Sequence, residues 1–488
     1  MLSVDEIKQF IEADASSLKK QQARKGQAYY EGNHDIKEYK LYYYNANGEL
    51  VEDKNRSNIK IPHQFFTELV DQATQYILSG KEGIIRSDIP ELQTYLDEYF
   101  NDSEDFIAEL SEVLTGCQAK GFEYMYARKS KDGRLGFECA DGLGVVEVEG
   151  RFAKDGKDNI IYHYIDRIDS EGKVVKKIIV CDDEFKYFYE QIGDSSIVTD
   201  NCFNGQNKKP HATYKVGNDG KTYYEPFGFI PFFRLDNNKK QMSNLHTVKP
   251  LVDDYDLMAC GLSNNIQDSC EYTVVTKGFD GDIEDIIQNV RTKKAIGVDE
   301  AGDLDFKTVD IPYEARKAKL ELDEKSIFRF GMGLDMTALK DSSATTNIAI
   351  KAAYSLLDLR CSKLEIKLKQ FLRKLIKVVL QEINSTYESD YQMKDVYFNF
   401  EHEIMSNANE NATMKLTEAQ TRQAEINTLL ALAAYLDNET LMQLICEQLD
   451  LDWDDIKDKL PDPDEAENAI KNAQGALDSV VEEGGAVE

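Results

Sequence analysis

Three runs of carboxylates are the residues whose types and spacing could do chemistry. They are Asp253-Asp254-x-Asp256, Asp280-x-Asp282-x-Glu284-Asp285 and Asp452-x-Asp454-Asp455. Carboxylate oxygens are preferred ligands of Ca²⁺ and Mg²⁺, and acids that converge on a metal could support a metal-dependent nuclease. None of the runs has the glycine and distal glutamate of an EF-hand loop. In a chain with 89 acidic residues such runs are more often solvated faces, so the nuclease is the rival function and not the favoured one.

Other signatures of catalysis or cofactor binding are missing from the sequence. No G-x-x-x-x-G-K-[ST] loop occurs, and Gly142-Leu143-Gly144 lies among predicted hairpins, which is typical of a turn. The six histidines are scattered, and no cysteine stands at metal-binding spacing from another. The sequence therefore predicts a protein that is not an enzyme and has no cofactor and no metal.

A helix predicted at about 346–384 carries the strongest cluster of positive charge. Its cations recur at three-, four- and seven-residue steps, which places them on one face: Arg360, Lys363, Lys367 and Lys374, with Lys377. The face could be solvated, could pair with an acidic surface of a neighbouring subunit, or could contact DNA directly. A second compact basic group is Arg291, Lys293 and Lys294.

The overall charge restricts the partners that the protein can have. The 488 residues include 58 Lys+Arg and 89 Asp+Glu, which gives a net charge of −31. This balance argues against a broad basic face that grips nucleic acid, although DNA could still slide past without sticking. No run approaches about 18 apolar residues, so no transmembrane helix and no membrane partner are expected. The amino terminus does not resemble a signal peptide, and the eight cysteines are expected to be reduced.

The elements that must position these residues are helical at first. Apolar spacing predicts helices over 1–30, 62–79, 90–100 and 103–119, with Pro62 in the first turn of the second. A strand running into a turn is predicted at 41–51. From 121 to 235 the apolar period shortens toward two and glycine-containing turns recur, so this stretch is predicted to be β-rich.

The second half of the chain is again mostly helical. A helix from about Val248 has an apolar seam for another helix. The elements predicted after it are a small α/β insertion at 272–310, a helix at 313–330 that Gly331-Met332-Gly333 ends, a polar loop at 332–345, the long helix, a strand at 396–400 and helices at 408–436 and 439–449. The acidic end is predicted to be a disordered tail. The fold class is therefore α+β.

Short sequence motifs along the chain are more specific than any single candidate site. In order they are Tyr29-Tyr30-Glu31-Gly32-Asn33-His34-Asp35-Ile36, Asn58-Ile59-Lys60-Ile61-Pro62-His63, Val70-Asp71, Tyr76-Ile77-Leu78-Ser79-Gly80, Gly228-Phe229-Ile230-Pro231, Asn237-Asn238 and Val248-Lys249-Pro250-Leu251-Val252-Asp253-Asp254-Tyr255. Over about residues 25–400 this order resembles the portal proteins of tailed bacteriophages, in the branch typified by phages of Gram-positive hosts. One departure is Asp341-Ser342-Ser343-Ala344-Thr345-Thr346-Asn347, which lacks the glycine that the family often has there.

The resemblance implies a portal fold, whose parts can be assigned to segments of this chain. These are a wing at 1–240 (β-rich at 121–235), a two-helix stem at 241–271 and 311–331, a small α/β clip at 272–310, a tunnel loop at 332–345, a long wing helix and strand at 346–405, a helical crown at 406–460 and an acidic tail at 461–488. Such proteins form a ring, typically of twelve subunits, at one capsid vertex, and they are made in the host cytoplasm.

The resemblance also implies partners and site residues. The ring would conduct double-stranded DNA without sequence specificity, dock the terminase large subunit and later the head–tail adaptor, and contact major capsid and scaffolding proteins. The tunnel-loop candidates are Thr337, Lys340, Asp341 and Ser342, for which an ordinary surface turn is the alternative. Arg291, Lys293 and Lys294 become the clip docking group, with a solvated loop as the alternative. Another head–tail ring component is a rival within the same class, although such subunits are generally much smaller.

Overall fold

The computed structural model describes most of the chain. The described residues are 1–54, 56–80, 83–130, 133–214, 221–269, 273–277, 303–307, 312–336, 347–402 and 408–431, with 440, 443, 444 and 446. Two units are distinguished by their contacts, Met1–Ser343 with Ile350–Ile404 and Ala344–Ala349 with Met405–Glu488. Helices and strands occur throughout the first unit, so the predicted α+β class is confirmed.

The first 30 residues form two helices where one was predicted. Helix α1 is Val4–Ser16 and α2 is Leu18–Tyr30. Ser17 between them is extended (φ −63°, ψ 145°), and its hydroxyl accepts a hydrogen bond from the amide of Lys20 at 3.2 Å. A serine that caps the next helix offers the backbone an alternative to continued helix, which the apolar spacing alone cannot reveal.

The predicted strand and turn at 41–51 is a hairpin of β1 (Tyr42–Tyr44) and β2 (Leu50–Glu52). Helix α3 is Phe65–Leu78, so the prediction that Pro62 lies in its first turn is wrong. Helix α4 (Pro90–Leu96) continues into a π-helical turn at Asp97–Asn101. Helix α5 is Glu104–Lys120, which Ser103 caps at its start and Gly121 (φ +98°) ends.

The middle of the chain is a series of antiparallel strands, as predicted. Strands β4 (Phe122–Lys129) and β5 (Leu135–Ala140) form a sheet with β14 (Phe232–Asp236) in the order β14-β4-β5. A larger sheet has the order β10-β9-β8-β7-β6, and β11 also pairs with β9. Its strands are β6 (Val145–Val148), β7 (Asn159–Ile168), β8 (Val174–Cys181), β9 (Phe185–Ile192), β10 (Val198–Thr199) and β11 (Lys208–Pro210).

Three short pairs complete the described strands. They are β12 (Ala212–Tyr214) with β13 (Tyr223–Glu225), β15 (Thr273–Lys277) with β16 (Asp303–Lys307), and β17 (Tyr397–Phe398) with β3 (Ile85–Arg86). A strand was predicted at 272–277, where β15 lies. The sequence also predicted a hairpin of 294–298 with 304–309, but the segment 294–298 lies outside the described residues.

Two helices flank the β15–β16 pair in sequence. Helix α6 is Leu245–Ser269 and begins three residues before the predicted start, with Pro250 inside it. Helix α7 is Tyr313–Gly331 and ends where Met332 takes a left-handed conformation (φ +54°), as the predicted Gly-Met-Gly break requires. Asp254 of α6 pairs with Lys319 of α7. Gly261, which is farther along α6, faces Arg316, which is nearer the start of α7, so the two helices run antiparallel.

The long helix α8 is Asn347–Tyr387, and a further helix, α9 (Ala408–Ala431), follows in the second unit. The apolar face predicted for α8 is confirmed, because its six members are all buried: Leu357, Leu364, Leu368, Leu372, Leu375 and Val379. They share one core with apolar residues of α3, α5, β4 and β5. This core fixes which side of α8 faces outward.

Candidate functional site: a hydrogen-bonded clamp on helix α6

Helix α6 starts inside the protein body and leaves it. Val248, Val252, Asp256 and Cys260 are all buried, at four-residue steps along one face. Among the described residues after Cys260, none of α6 is buried, and α7 is likewise unburied before Asp323. One half of the α6–α7 pair is therefore embedded in the body, and the other half extends beyond the packed core.

Side chains of α6 bind the backbone of the segment 57–63 in a regular series, which we call the α6 clamp. Asp268 Oδ1 accepts from the amide of Ser57 at 3.2 Å, and Asn264 Oδ1 accepts from that of Ile59 at 2.7 Å. Cys260 Sγ accepts from the amide of Ile61 at 3.2 Å, and Asp256 Oδ1 accepts from that of His63 at 2.8 Å. Every second amide of the segment thus bonds to every fourth side chain of the helix.

The series is possible because the two repeats nearly match. Four residues of α-helix rise about 6.0 Å, whereas two residues of extended chain span about 6.6 Å. From Asp256 to Asp268 the helix advances about 18 Å. Six residues of the segment must cover that distance, so 57–63 is close to fully extended. Pro62 lies between two bonded amides, where its missing N–H is not needed.

One end of the clamp is a buried carboxylate between two histidines. Asp256 Oδ2 accepts from His34 Nδ1 at 2.7 Å, and its Oδ1 accepts from His63 Nδ1 at 2.8 Å. Burial alone would raise the pKa of Asp256, but the hydrogen bonds from His34 and His63 outweigh it, so the pKa lies below its ordinary value. The side chains of His34 and Asp256 are 0% and 1% exposed.

His34 has an acceptor at each ring nitrogen. Its Nε2 lies 3.2 Å from the backbone oxygen of Tyr29, and its ring stacks on that tyrosine. Both ring nitrogens of His34 are thus engaged inside the core. His34 and Asp256 form a buried hydrogen-bonded pair, and loss of either partner would leave buried polar atoms unsatisfied.

A second polar group ties the start of α6 to the loop after α2. Lys249 bonds Asp35 at 2.7 Å and Asp253 at 2.6 Å, and the hydroxyl of Tyr29 also donates to Asp253. Burial would raise the pKa of Asp35, but its bonds with Lys249 and Lys25 hold the pKa at about 2. Both networks anchor α6 to residues near position 30.

The carboxylate run 253–256 does not converge on a shared point. Asp253 faces Tyr29 and Lys249, Asp254 pairs with Lys319 at 2.6 Å, and Asp256 faces the two histidines. The expectation that this run is a solvated face is wrong for Asp256, which is fully buried. Within the described residues, no group of three potential ligands could hold a metal ion. The other two acidic runs lie outside those residues.

The cations predicted on one face of α8 are separated in the structure. Arg360 turns inward and donates to the backbone oxygens of Leu69 and Gly331 and to Gln118 Oε1, at 2.9, 3.2 and 2.8 Å. Burial lowers its pKa to about 10, which leaves it charged at neutral pH. Lys363 and Lys374 are exposed, and Lys367 is half-buried. None of the three lysines forms an ion pair with a described residue.

The remaining predicted site residues lie outside the described part of the chain. They are Thr337, Lys340, Asp341 and Ser342 of the polar loop and Arg291, Lys293 and Lys294 of the insertion. The clamp was missed as a site, because nothing in the sequence joins Asp256 with His34 and His63. These three residues nevertheless lie in or beside three of the motifs that carry the family resemblance.

In the part of the chain that the structure describes, no helix is both long and apolar enough to cross a membrane. Residues 10–452 match the family described as "Phage portal protein, SPP1 Gp6-like". The portal protein of Bacillus phage SPP1 is 24% identical over 398 residues, covering 80% of this chain and 76% of that protein. The portal protein of Clostridium phage phiCD119 is 24% identical over 401 residues, covering 78% and 84%. The chain therefore belongs to the SPP1 Gp6-like family of phage portal proteins, and its role is that of a phage portal protein.

Proposed function

We propose that this chain assembles into a ring, typically of twelve copies, at one vertex of a phage capsid. Double-stranded DNA passes through the ring during packaging and ejection without being read. The terminase large subunit docks during packaging, the head–tail adaptor docks afterwards, and major capsid and scaffolding proteins surround the ring. The chain performs no catalysis, so a partner supplies the energy for DNA movement.

The observation that carries this proposal is the antiparallel pair of α6 and α7, which is embedded at one end and extends beyond the core at the other. Between the helices in sequence lies the β15–β16 pair. A ring of such subunits can place these helices around a channel as the stem. On that arrangement the insertion at 272–310 is the clip, and Arg291, Lys293 and Lys294 are its docking group.

The α6 clamp supports a mechanical role for the stem. The buried hydrogen bond between Asp256 and His34 and four bonds to the backbone fix the position of α6 along the body, so force on the distal half of the helix is carried into the wing. The wing in this proposal comprises 1–240 and 346–405. The tunnel loop is 332–345, where Thr337, Lys340, Asp341 and Ser342 face the DNA, and the crown is 406–460.

The charge balance fits a conduit. Each phosphate that a cation neutralises strengthens DNA binding, and a channel that bound tightly would stall the duplex. With a net charge of −31, most of the wall repels DNA and keeps it centred. Neutralising acids of the channel should therefore slow packaging.

Electron microscopy of the purified protein tests the proposal, together with its mass in solution with and without a scaffolding protein. Rings with a central hole and high rotational symmetry are expected. The same preparation, incubated with plasmid and Mg²⁺ or Mn²⁺, should leave the DNA intact. A protein that stays monomeric with scaffold present, or that cuts DNA until one carboxylate run is neutralised, would overturn the proposal in favour of the nuclease.

A further inference from the structure

The outward face of α8 carries a cluster of cations that the described part of the chain does not neutralise. Residues 363–377 contain six Lys and Arg and a single acid, Glu365, which His402 occupies at 2.8 Å. Lys369 and Arg373 lie over the rings of Phe400 and Phe398. Lys363, Lys374 and Lys377 are exposed and form no ion pair with any described residue. We call Lys363, Lys374 and Lys377, together with Ile366, the basic patch. Ile366 is 59% exposed.

The opposite charge is concentrated on α5 and the residues before it. Residues 88–112 contain nine Asp and Glu and no Lys or Arg. Four of these acids are exposed, and together with Ile107, which is 41% exposed and lies one turn from Glu104, they form the acidic patch: Asp102, Glu104, Asp105 and Glu112. Acids in the first turn favour the amino terminus of α5, but that effect does not explain Asp102 or Glu112.

The two patches are opposite in charge, and each extends over more than two helical turns. Lys363 and Lys374 are about 16 Å apart along α8, and Glu104 and Glu112 are about 12 Å apart along α5. Each patch also has an exposed isoleucine one turn from a charged residue, which suits an interface that combines apolar and charged contacts. Helices α5 and α8 bury their apolar stripes in the same core, and no ion pair among described residues joins the two patches. A second copy of the chain can join them.

We propose that the basic patch of one subunit packs against the acidic patch of the next subunit in the ring. This inference rests on the proposed function and specifies one of its contacts. Two different surfaces that complement each other head to tail generate a closed ring, whereas a surface that pairs with itself gives dimers. Lys367 lies at the border of the basic patch and is half-buried, and Arg360 is engaged inside its own subunit, so neither contributes to this contact.

Charge reversal tests the contact. One variant carries Lys363→Glu, Lys374→Glu and Lys377→Glu, and the other carries Asp102→Lys, Glu104→Lys and Glu112→Lys. Each variant alone presents two surfaces of like charge, so we expect its ring fraction to fall at least tenfold at the concentration where the wild type is mostly rings. An equimolar mixture should restore rings, because the reversed surface of each variant complements the reversed surface of the other. Those rings would alternate the two variants and contain an even number of subunits.

A matched control keeps the change in net charge but moves it elsewhere. Lys176→Glu, Lys239→Glu and Lys240→Glu replace three exposed lysines outside the patch, and this variant should form rings as the wild type does. Restoration in the mixture also shows that both variants are folded. If the basic-patch variant alone forms rings like the wild type, or if the mixture does not recover them, this contact is wrong while the portal function stands. Failure of the wild type itself to form rings would overturn both.

Discussion

Replacing Asp256 with asparagine should release the segment 57–63 from helix α6. The carboxylate accepts hydrogen bonds from His34 Nδ1, His63 Nδ1 and the His63 amide. Asparagine has the same size, but it turns an N–H₂ group toward one of these donors and carries no charge. Hydrogen bonds to a charged group contribute about 1.5–3 kcal/mol each, so weakening all three should cost about 3 kcal/mol or more. At about 1.4 kcal/mol per factor of ten, local opening should become more frequent by a factor of about 100 or more.

Hydrogen exchange measured by mass spectrometry reads this effect directly. In the wild type the amides of Ile59, Ile61 and His63 should be protected, and in Asp256→Asn their exchange should accelerate by about two orders of magnitude. The control is Asp254→Asn, two residues away on the same helix, whose partner Lys319 is about a third exposed. An exposed pair contributes about 0–1 kcal/mol, so exchange should change about fivefold at most. If Asp256→Asn accelerates exchange no more than Asp254→Asn does, the clamp does not hold the segment.

Two further predictions concern the body of the protein outside the α6 clamp. Gly26→Ala should lower the free energy of unfolding by about 2–3 kcal/mol despite the better helix propensity of alanine, because its Cβ would lie 1.9 Å from the Ala119 backbone oxygen. Thermal unfolding measures this effect, with Gly136→Ala as the control. A Cβ added at Gly136 would meet no neighbouring atom within 4 Å, so little change is expected there. The hydrogen bond that His402 Nε2 donates to Glu365 raises the pKa of His402 above 6.5, so this pair should stabilise the fold fully below pH 6.5 and lose its contribution as the pH rises through the folded-state pKa. Denaturant titrations from pH 5.5 to 8.5 should show this slope, and His402→Gln should flatten it; an unchanged slope would contradict the assignment.

The elements with strong local periodicity could be predicted from the sequence. The buried face of α8 follows from its repeat of leucines, and the hairpins follow from their alternation and turns. The errors occurred where a single polar side chain or proline had an unexpected partner. Ser17 caps α2 and thereby divides the first helix, and Pro62 belongs to the clamp segment, so α3 begins only at Phe65.

The clamp could not be predicted because its pairings are distant in sequence. Asp256 is separated from His34 by 222 residues and from His63 by 193. Composition says that most of the 89 acids face solvent, but it cannot say which one is buried. The prediction that Arg360 shares one face of α8 with the lysines is wrong for a different reason. At 100° per residue it lies about 80° from the middle of the buried stripe of α8, so its long side chain can reach the interior although its spacing matches the lysines.

In the α6 clamp two repeats of nearly equal length run side by side, four residues of helix and two residues of extended chain. The extended chain gains on the helix by roughly 0.6 Å at each repeat, or about 2 Å over the three repeats between His63 and Ser57. Such a mismatch can be absorbed over four hydrogen bonds but not over many more, so a clamp of this kind is limited in length. It also allows no intermediate position of the helix, because sliding restores the alignment only after a full repeat of about 6 Å. Helix α6 should therefore hold one axial position firmly, and any sliding should occur in steps of four residues.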